Sequence, residues 1–548
     1  MRRNIRFVSL SLAVLMLASF LGACSPKRAA GKAVDAETKA RLENLNTSGE
    51  FPIVKQPITL KFMVSRDPSQ SSYKDILIWS EYEKKTNIHI DWDEVPATSI
   101  GEKRNLVLAS GQNLPDAFFR CSFNGRDTAK YGAQGVFVKL NDYIDKYMPN
   151  FKKVASQYED VKKGLPTVDG TIYALPCVSD CIEQEINPKI FLNTDFIKNV
   201  NGTMPKTTDE LYTLLKKFYD EDANKNGKKD EIPITASSLT NLTHAFKGAF
   251  GLMNRGSVHV NVDVDPKSGN LRFIPTAPEF RQMLEYLHKL YNEHLLDSEV
   301  VTMTSSKIIS KDAVNALGGM IYTSTSVLDS ERVKKYEGIP EALQGPNGDK
   351  TWAACRSHIS NLGAFTMTNT NKNPEATMRW MDYWYGDEGS RMFFLGVEGV
   401  SYQKNSDGKY DFIPEAIQIP KGSNLNQVIA KYVPYAGGAN PALLKSDYFR
   451  GSEMAQASAQ AAHNMISYLP KDIWGWFSYT EEESDQLSSL EADLFKGHYD
   501  IAVPAFITGQ TPINDETWNQ YVAKFNEIGL QKYMDIYKAG YDRYKKAK

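Results

Sequence analysis

A regular series of oxygen donors runs through DANKNGKKDEIP, residues 222–233. Counted from Asp222, side-chain oxygens fall at the first, third and fifth positions, a glycine is sixth, a backbone carbonyl is seventh and a carboxylate is ninth. These are the offsets of a calcium-binding loop, in which Ca²⁺ takes about six to eight oxygens and glycine allows the sharp turn. The offsets give these candidate ligands: Asp222, Asn224, Asn226, Lys228 through its carbonyl, and Asp230.

The end of this stretch departs from the usual calcium loop. A bidentate glutamate normally stands at the last position, which here is Pro233, while Glu231 stands two residues earlier. A strand start, rather than a second helix, is expected after the loop, so we predict an isolated structural site and not a calcium sensor. The alternative is an Asn-Gly turn between a helix and a strand, with acidic residues that serve solubility.

An amphipathic helix positions the loop, within PKTTDELYTLLKKFYD, residues 205–220. Thr207 is a candidate N-cap, and Glu210 follows at the capping-box spacing. Apolar residues then recur at i, i+3, i+4 and i+7, which predicts a helix. These residues are Leu211, Leu214, Leu215 and Phe218.

Polar residues follow the strands of a predicted β-α-β unit. Strand patterns at 57–64 and 87–95 flank a helical pattern over about 73–85, and a helix at about 99–110 leads to a strand at 117–120. This alternation predicts an α/β sheet, whose ligands bind beyond the carboxyl ends of its strands. The residues so placed are Ser65, Arg66 and Arg120. The alternative for the arginines is a surface position in a solvated loop.

Aromatic side chains are the second candidate ligand surface, because rings stack on the apolar faces of sugars. Trp474 and Trp476 are two residues apart in KDIWGWFSYT, a spacing that suits neither one helical face nor a compact core turn. We expect one of the two to line a ligand cleft, with a core or interface role as the alternative. Trp352, near a predicted crossing between lobes, is a further candidate.

The N-terminus has the pattern of an export signal. Basic residues precede an apolar run over 7–21, and LGAC, residues 21–24, resembles a lipobox. Cleavage would remove residues 1–23 and leave Cys24 to carry lipid, and an ordinary secretory signal with an accidental cysteine is the alternative. The later sequence has no run apolar enough to span a bilayer, so lipid on Cys24 would be the only anchor.

Length and composition narrow the class of protein. Of 548 residues, the polar stretch 24–56 is a predicted tether, and the rest exceeds what one hydrophobic core supports, so two or more lobes are expected. A net charge of −2 gives no reason to expect nucleic acid as a partner. Cys177 and Cys181 could form a local disulfide, but sequence alone does not establish the connection.

These motifs resemble the extracellular solute-binding lipoproteins of ABC transporters, family 1, in the large subgroup related to alginate-oligosaccharide-binding proteins. The resemblance rests on the lipobox, on the helix and loop over 205–233, and on three further segments. These segments are GQNLPDAFF (111–119), VDGTIYALP (168–176) and the C-terminal FITGQTPINDETWNQYVAKFNEIGLQKYMDIYKAGYDRYKK (506–546).

The resemblance implies residue roles beyond those that spacing gives. In the relatives calcium is held by an Asp, two Asn, an Asp, a Glu and a lysine carbonyl, and this adds Glu231 to the predicted ligands. GGMIYTSTS, residues 318–326, is similar to the strand and loop that family members direct at their ligand. It nominates Tyr322, Thr323 and Ser324.

The implied fold is α/β, a two-lobe periplasmic-binding-protein-like fold with a ligand cleft between the lobes. The amino-terminal lobe would comprise 57–176 and 356–395, and the carboxyl-terminal lobe 177–355 and 396–548 with the calcium loop.

The expected function is that of a substrate-binding lipoprotein of an ABC importer. It would capture a carbohydrate, an oligosaccharide by resemblance, and deliver it to permease subunits from the outer face of a bacterial membrane, as a monomer. A peptide-binding transport lipoprotein is the main alternative. A secreted calcium-stabilised glycoside hydrolase is the other, but the sequence has no nucleophile elbow, HExxH motif or phosphate loop, so we expect no enzyme.

Overall fold

The computed structural model describes residues 36–68, 70–329, 331–420, 423, 425–434 and 439–547. The predicted signal peptide, Cys24 and the first part of the predicted tether lie outside these residues. The chain divides into two compact units, 1–45 and 46–548, and the described part of the first contains helix α1 (Ala36–Asn44). No helix within the described ranges is long and apolar enough to cross a membrane.

The second unit alternates strands and helices, as the sequence predicts for an α/β fold. Its described strands are β1 (Ile58–Arg66), β2 (Ile88–Pro96), β3 (Ala117–Phe123), β4 (Leu175–Asp180), β5 (Lys189–Asn193), β6 (Thr235–Ala236), β7 (Val262–Val264), β8 (Leu271–Phe273), β9 (Gly319–Tyr322), β10 (Tyr336–Gly338), β11 (Ile359–Met367), β12 (Tyr402–Lys404), β13 (Tyr410–Phe412) and β14 (Leu443–Lys445). Its described helices are α2 (Leu77–Thr86), α3 (Ile100–Ser110), α4 (Gly125–Ala133), α5 (Asn141–Tyr147), α6 (Pro149–Gln157), α7 (Glu159–Gly164), α8 (Ile182–Glu185), α9 (Thr194–Asn199), α10 (Thr208–Asp220), α11 (Leu239–Lys247), α12 (Pro278–Asn292), α13 (Ser305–Ala313), α14 (Pro374–Asp382), α15 (Asp387–Leu395), α16 (Leu425–Ile429), α17 (Gln456–Met465), α18 (Glu481–Glu491), α19 (Asp500–Thr508), α20 (Asp515–Ile528) and α21 (Leu530–Lys546).

Six of the described strands form the large sheet, in the order β14, β4, β11, β3, β1, β2. β1 pairs in parallel with β2 and β3, which confirms the predicted β-α-β unit. β11 is antiparallel to its neighbours β3 and β4, and β14 is parallel to β4. Within this sheet β1, β2, β3, β4 and β14 therefore share one direction.

An aromatic core covers one face of the large sheet. Trp79 on α2 lies 5.8 Å from Trp380 and 5.5 Å from Trp384 between ring centroids. Phe62 of β1 meets Trp380 edge-on at 5.6 Å. All four side chains are buried. The apolar residues of α2 and α14 therefore fix these helices against the strands.

Four of the described strands form the small sheet, in the order β10, β5, β9, β6. β5 is antiparallel to β9 and β10, and β6 is parallel to β9. A continuous apolar core beside this sheet takes side chains from α10, α11, α12, α19, α20 and α21. The C-terminal helices therefore pack with the helix that precedes the predicted calcium loop.

The helix predicted before the loop is confirmed as α10. The Thr207 hydroxyl accepts a bond from the Glu210 N–H at 3.0 Å, as an N-cap does. In a capping box the Glu210 carboxylate would accept from the N–H of Thr207. Here Glu210 Oε2 instead accepts from the N–H of the preceding residue, Lys206, at 2.7 Å. Its predicted apolar residues are buried.

The chain passes between the regions of the two sheets at three described places. Residues 181–188 join β4 to β5, residues 339–358 join β10 to β11, and residues 446–455 join β14 to α17. The predicted boundary at 396 assigns β14 to the carboxyl-terminal lobe, but β14 pairs in parallel with β4 and is the outermost strand of the large sheet.

We therefore propose that this boundary lies after β14. The other lobe boundaries stay predictions.

The cysteines in the described residues are free and buried. The local disulfide considered for Cys177 and Cys181 is not formed. The Cys181 thiol instead donates to Glu183 Oε2 at 3.3 Å.

Candidate functional site

The ends of the two sheets define a candidate ligand site. The carboxyl ends of β1, β3, β4 and β14 meet at one edge of the large sheet, because these strands share a direction. The carboxyl ends of β6, β9 and β10 meet at one edge of the small sheet, beside the amino end of β5. Residues 181–188 join these two edges. Ligands of α/β sheets bind beyond such carboxyl ends.

The structure brings Ser65, Arg66 and Arg120 together, but within strands rather than after them: Ser65 and Arg66 are the last residues of β1, and Arg120 is the central residue of β3. The Arg120 guanidinium donates to the Ser65 carbonyl at 3.2 Å and to Gln70 Oε1 at 2.9 Å. Arg120 is 8% exposed, so the solvated-loop alternative is wrong for this residue. Arg66 Nε pairs with Glu94 Oε2 at 3.0 Å. The two arginines order the chain after β1, and ligand contact by any of the three remains a prediction.

Trp474 and Trp476 lie in different environments. Trp474 is 2% exposed, and its ring lies 5.7 Å from His259 and 4.7 Å from Tyr541 in the apolar core. Ligand contact by Trp474 is therefore excluded by packing, and the core alternative is correct. Trp476 is half-buried and donates through Nε1 to the Ile359 carbonyl at 3.0 Å. Of this pair, Trp476 is the residue whose ring can meet a ligand.

Trp476 lines a cavity of about 290 Å³. Its walls are the start of α4, residues 164–167, residues 476–479 and α18. Because α4 follows β3, the cavity opens from the predicted edge of the large sheet. An aromatic face among hydrogen-bonding groups can hold a polyhydroxylated ligand. These groups include Asn124, Thr128, Thr167, Ser478, Ser484 and Ser488.

A larger groove of about 470 Å³ runs over α5, and half of its lining residues are charged. The N–H of Val138, just before α5, bonds to the carbonyl of Met367 at the carboxyl end of β11. Since β11 is the reversed strand, this groove lies at the opposite edge of the large sheet from the candidate site.

A hydrogen-bonded polar cluster stands where β4 ends and β11 begins. His358 Nδ1 lies 2.9 Å from Asp160 Oδ1, and the His358 backbone N–H donates to Asp160 Oδ2 at 2.7 Å. The Tyr158 hydroxyl donates to Asp180 Oδ2 at 2.6 Å. The rings of Tyr158 and His358 lie 4.2 Å apart between centroids. Asp180 is exposed, so the cluster presents a carboxylate and two rings at the sheet edge.

The charges of this cluster depend on its hydrogen bonds. Burial acts to lower the pKa of His358, but the bond to Asp160 and the negative charges of Asp160, Glu185 and Asp180 together outweigh burial and raise this pKa above its ordinary value. Burial acts to raise the pKa of Asp160, but the bonds from His358 outweigh it and lower this pKa. Burial raises the pKa of Glu185, which accepts from the Cys181 N–H, to about 7. His358 and Asp160 therefore favour their charged forms as a pair.

The buried carboxylate of Glu183 ties the connection 181–188 to two other segments. Glu183 Oε1 lies 2.8 Å from His463 Nε2 on α17, and Oε2 accepts from the Ser446 hydroxyl, after β14, at 2.6 Å. Lys189 is 1% exposed and donates to the carbonyls of Glu183 at 2.8 Å and Thr323 at 3.1 Å. These bonds fasten the connections between the sheets at one place.

β9 carries Tyr322, Thr323 and Ser324 to the small-sheet edge. Tyr322 is half-buried, with its hydroxyl 2.6 Å from that of Ser305. Ser324 is 3% exposed and donates to the Ser452 carbonyl at 2.6 Å. Ser324 therefore holds the connection after β14, while Tyr322 and Thr323 keep partly exposed side chains.

Sequence reasoning also misplaced one residue and missed several. Trp352 is 2% exposed in the apolar core beside the small sheet, so its predicted ligand contact is wrong. The missed groups come from segments far apart in the chain, and no local spacing could have indicated them. They are Tyr158, Asp160, Asp180, Glu183, His358 and His463.

The predicted calcium loop folds with its donors close together. The Asp222 carboxylate accepts from the backbone N–H groups of Asn226 and Gly227, each at 3.0 Å. The side-chain amides of Asn224 and Asn226 donate to Asp230 Oδ1 at 2.8 and 3.0 Å. Gly227 has φ of +75°, a conformation that favours glycine and permits the turn.

Glu231 completes the donor set from the far end of the loop. It is 8% exposed, and Oε1 accepts from the Asn224 N–H at 3.4 Å. Within the described residues no cluster of three or more His, Cys, Asp or Glu side chains is placed to share a metal. The loop's donor set instead combines carboxylates with carboxamide and carbonyl oxygens, which are the ligands that the hard cation Ca²⁺ accepts.

Comparison with known proteins identifies sequence relatives over most of the chain. A model of the bacterial extracellular solute-binding protein family matches residues 67–391. The chain is 28% identical to the fructooligosaccharide ABC transporter substrate-binding protein FusA of Streptococcus pneumoniae, with 97% of each chain covered. It is 26% identical to the polygalacturonan/rhamnogalacturonan-binding protein YtcQ of Bacillus subtilis, over 60% of this chain and 64% of YtcQ.

Solved structures share the fold. FusA in complex with kestose matches with a TM-score of 0.70 at 25% identity, covering 90% of this chain and 100% of FusA. The alginate-binding protein AlgQ2 without calcium ion matches with a TM-score of 0.70 at 22% identity, covering 90% of this chain and 100% of AlgQ2. An HMO-binding, ABC-transporter-associated solute-binding protein of Bifidobacterium longum infantis matches with a TM-score of 0.75 at 19% identity. The match covers 89% of this chain and 99% of that protein. These matches confirm the predicted two-lobe α/β fold.

Proposed function

The chain belongs to the bacterial extracellular solute-binding protein family, and on this basis we propose that it captures an oligosaccharide and delivers it to the permease of an ABC importer. The observation that carries the proposal is the cavity that the half-buried Trp476 lines together with hydroxyl and amide side chains. The likeness to FusA over 97% of both chains supports a sugar as the ligand. The cavity and the polar cluster around Asp180 would together form the ligand cleft.

The proposed mechanism is closure of two lobes around the sugar. A ligand that touches both lobes favours the closed arrangement by its extra contacts there. The connection 181–188 is short, and the bonds of Glu183 hold it to the neighbouring segments. It would therefore keep the two lobes joined and act as a hinge while they close. The permease would recognise the closed form. The chain would bind without turnover, as the names of its relatives describe binding proteins.

Calcium would have a structural role in this proposal. Asp222, Asn224, Asn226, Asp230 and Glu231, with the Lys228 carbonyl, would hold the ion and stiffen the junction between α10 and β6 without touching the sugar. Two related structures, a FusA EF-hand mutant and AlgQ2 without calcium ion, support calcium as the ion in this proposal.

We also propose a lipid anchor at Cys24 on the extracytoplasmic face of the membrane. The lipobox pattern supports it, as does the 25% identity to the B. subtilis lipoprotein LipO, over 73% of this chain and 74% of LipO. Growth of the producing bacterium with a labelled fatty acid should label the protein and leave Cys24→Ala unlabelled. An unlabelled wild-type protein would contradict the anchor.

The function is tested by a thermal-shift screen of the protein against oligosaccharides and peptides, followed by chromatography of each ligand. We expect Tm to rise with one glycan class according to RT ln(1 + [L]/Kd), and that glycan to be recovered intact. A response to peptides alone would indicate peptide uptake, and consumption of the glycan would indicate an enzyme. Size-exclusion chromatography in the same samples should show a monomer.

A further inference from the structure

The cationic groups of the candidate site are already engaged by acceptors of the protein. Arg66 pairs with Glu94, Arg126 Nη2 donates to Asp485 at 2.7 Å, and Arg356 Nη2 donates to the Gln184 carbonyl at 3.0 Å. Lys445, at the end of β14 and in register with Asp180, donates to Asp387 Oδ1 at 3.0 Å. Further cationic groups at these edges, with the partners described above, include Arg120, Lys189, His358 and His463.

One acidic group at the same place, Asp180, is more available. Asp180 is exposed, and its Oδ2 is held by Tyr158, while Oδ1 has no hydrogen-bond partner among the described residues. Two other carboxylates lie near Asp180. Asp160 belongs to the polar cluster, and Glu185 is the last residue of α8. The edge where β4 ends therefore offers acceptors and negative charge to a ligand.

We propose that the cleft selects uncharged oligosaccharides over those that carry carboxylates, an inference that rests on the proposed function. A sugar hydroxyl can donate to Asp180 Oδ1 in a charge-assisted bond, and a sugar face can lie against the Tyr158 and His358 rings. A uronate would bring its own carboxylate toward Asp180 and Glu185. It would need an arginine or lysine, and each of those at the site would first have to leave its present partner.

The discriminating experiment is isothermal titration calorimetry of the full chain with two panels of matched length. One panel holds neutral tri- and tetrasaccharides of fructose, glucose, galactose and xylose, and the other holds galacturonate, mannuronate and guluronate oligomers. We expect binding in the neutral panel and at least about 100-fold weaker binding of every uronate, which corresponds to about 2.7 kcal/mol. A uronate that binds as tightly as the best neutral glycan would overturn the inference.

Two variants test whether Asp180 causes the selection against uronates. Asp180→Lys should weaken the best neutral glycan about 10-fold and strengthen uronate binding about 10-fold, because it replaces the available carboxylate by a cation. Asp91→Lys is the matched control, since Asp91 is exposed in the middle of the edge strand β2. Equal effects of the two variants would contradict a role for Asp180. If no glycan of either panel binds, the proposed function itself is wrong, and the inference falls with it.

Discussion

Trp474 and Trp476 are separated by a single glycine, yet one belongs to the core and the other to the cavity. Trp474→Ala removes a buried indole and should destabilise the fold by about 3–5 kcal/mol. Trp476→Ala should instead weaken ligand binding about 30-fold, because truncation of an aromatic anchor costs about 2 kcal/mol. Thermal melts and calorimetry of both variants separate the two roles. Unchanged affinity in the Trp476 variant would remove this residue from the cleft.

His358 and Asp160 form the ion pair of the cleft edge, and their pKa shifts set a pH window. The raised pKa of His358 means that its contribution to stability is full below its unfolded value, about 6.5, and is lost as pH rises through the higher folded value. The lowered pKa of Asp160 means that its contribution is present above about 3.9 and is lost as pH falls through the lower folded value. The pair should therefore stabilise most between about pH 4 and 6.5.

A substitution tests this window. His358→Gln should lower Tm more at pH 5.5 than at pH 8.5, and the difference should correspond to less than about 1 kcal/mol because the side chain is 34% exposed. Added to Asp160→Asn, the same substitution should no longer lower Tm more at pH 5.5 than at pH 8.5. A Tm loss that is equal at both pH values would show that His358 acts only by packing against Tyr158.

At the scale of elements, α10 and the loop after it form one local structural unit. The helix buries its apolar side, and the loop turns through Gly227 so that its oxygens approach one another. These features depend on residues that are adjacent in the chain. This locality is why spacing alone predicted both the helix and the positions of the oxygen donors.

Removal of one donor tests the calcium site. In calcium at about 100 times its Kd, the protein should gain about 2.7 kcal/mol over the protein in chelator, and Asp222→Asn should lose most of that gain. Asp265→Asn is the matched control, because Asp265 is, like Asp222, partly exposed and also accepts from the backbone of its own turn, at Lys267. Its effect on Tm should be the same in calcium and in chelator. If wild-type Tm is equal in both buffers, the calcium assignment is wrong.

At the scale of the whole molecule, Glu183 is the point where segments from both sheet regions are fastened. Burial acts to raise its pKa, but the bonds from Ser446 and His463 outweigh burial and lower it. Its contribution to stability should therefore be present above the unfolded value of about 4.3 and be lost as pH falls through the lower folded value.

Glu183→Gln keeps the size of this side chain and removes its charge. We expect a loss of about 1–3 kcal/mol at pH 7, since the hydrogen bonds to a buried charged acceptor become neutral ones. The loss should be smaller at pH 3.5. Glu453→Gln is the control, because Glu453 is partly exposed and bonds to the adjacent Ser452. Equal Tm changes for the two variants would show that Glu183 does not fasten the connections.

The sequence by itself determined the features that depend on neighbouring residues. The β-α-β unit, α10, the offsets of the loop donors and the candidates Ser65, Arg66 and Arg120 after strand ends all follow from local period and spacing. The structure brought those three residues together and confirmed the parallel β-α-β unit and the helix. It corrected the strand ends, because β1 continues to Arg66 and β3 to Phe123, so the three residues lie within strands.

Only the tertiary structure decided which side chains are buried and which distant segments meet. Asp160 pairs with a histidine 198 residues later, and Glu183 with one 280 residues later. β14 joins the large sheet although the chain reaches it long after β4. Burial and such pairings arise when separated elements share one core, and local patterns carry no information about that packing. For this reason the sequence could nominate Trp352, Trp474 and Trp476 alike, and only the fold left Trp476 facing a cavity.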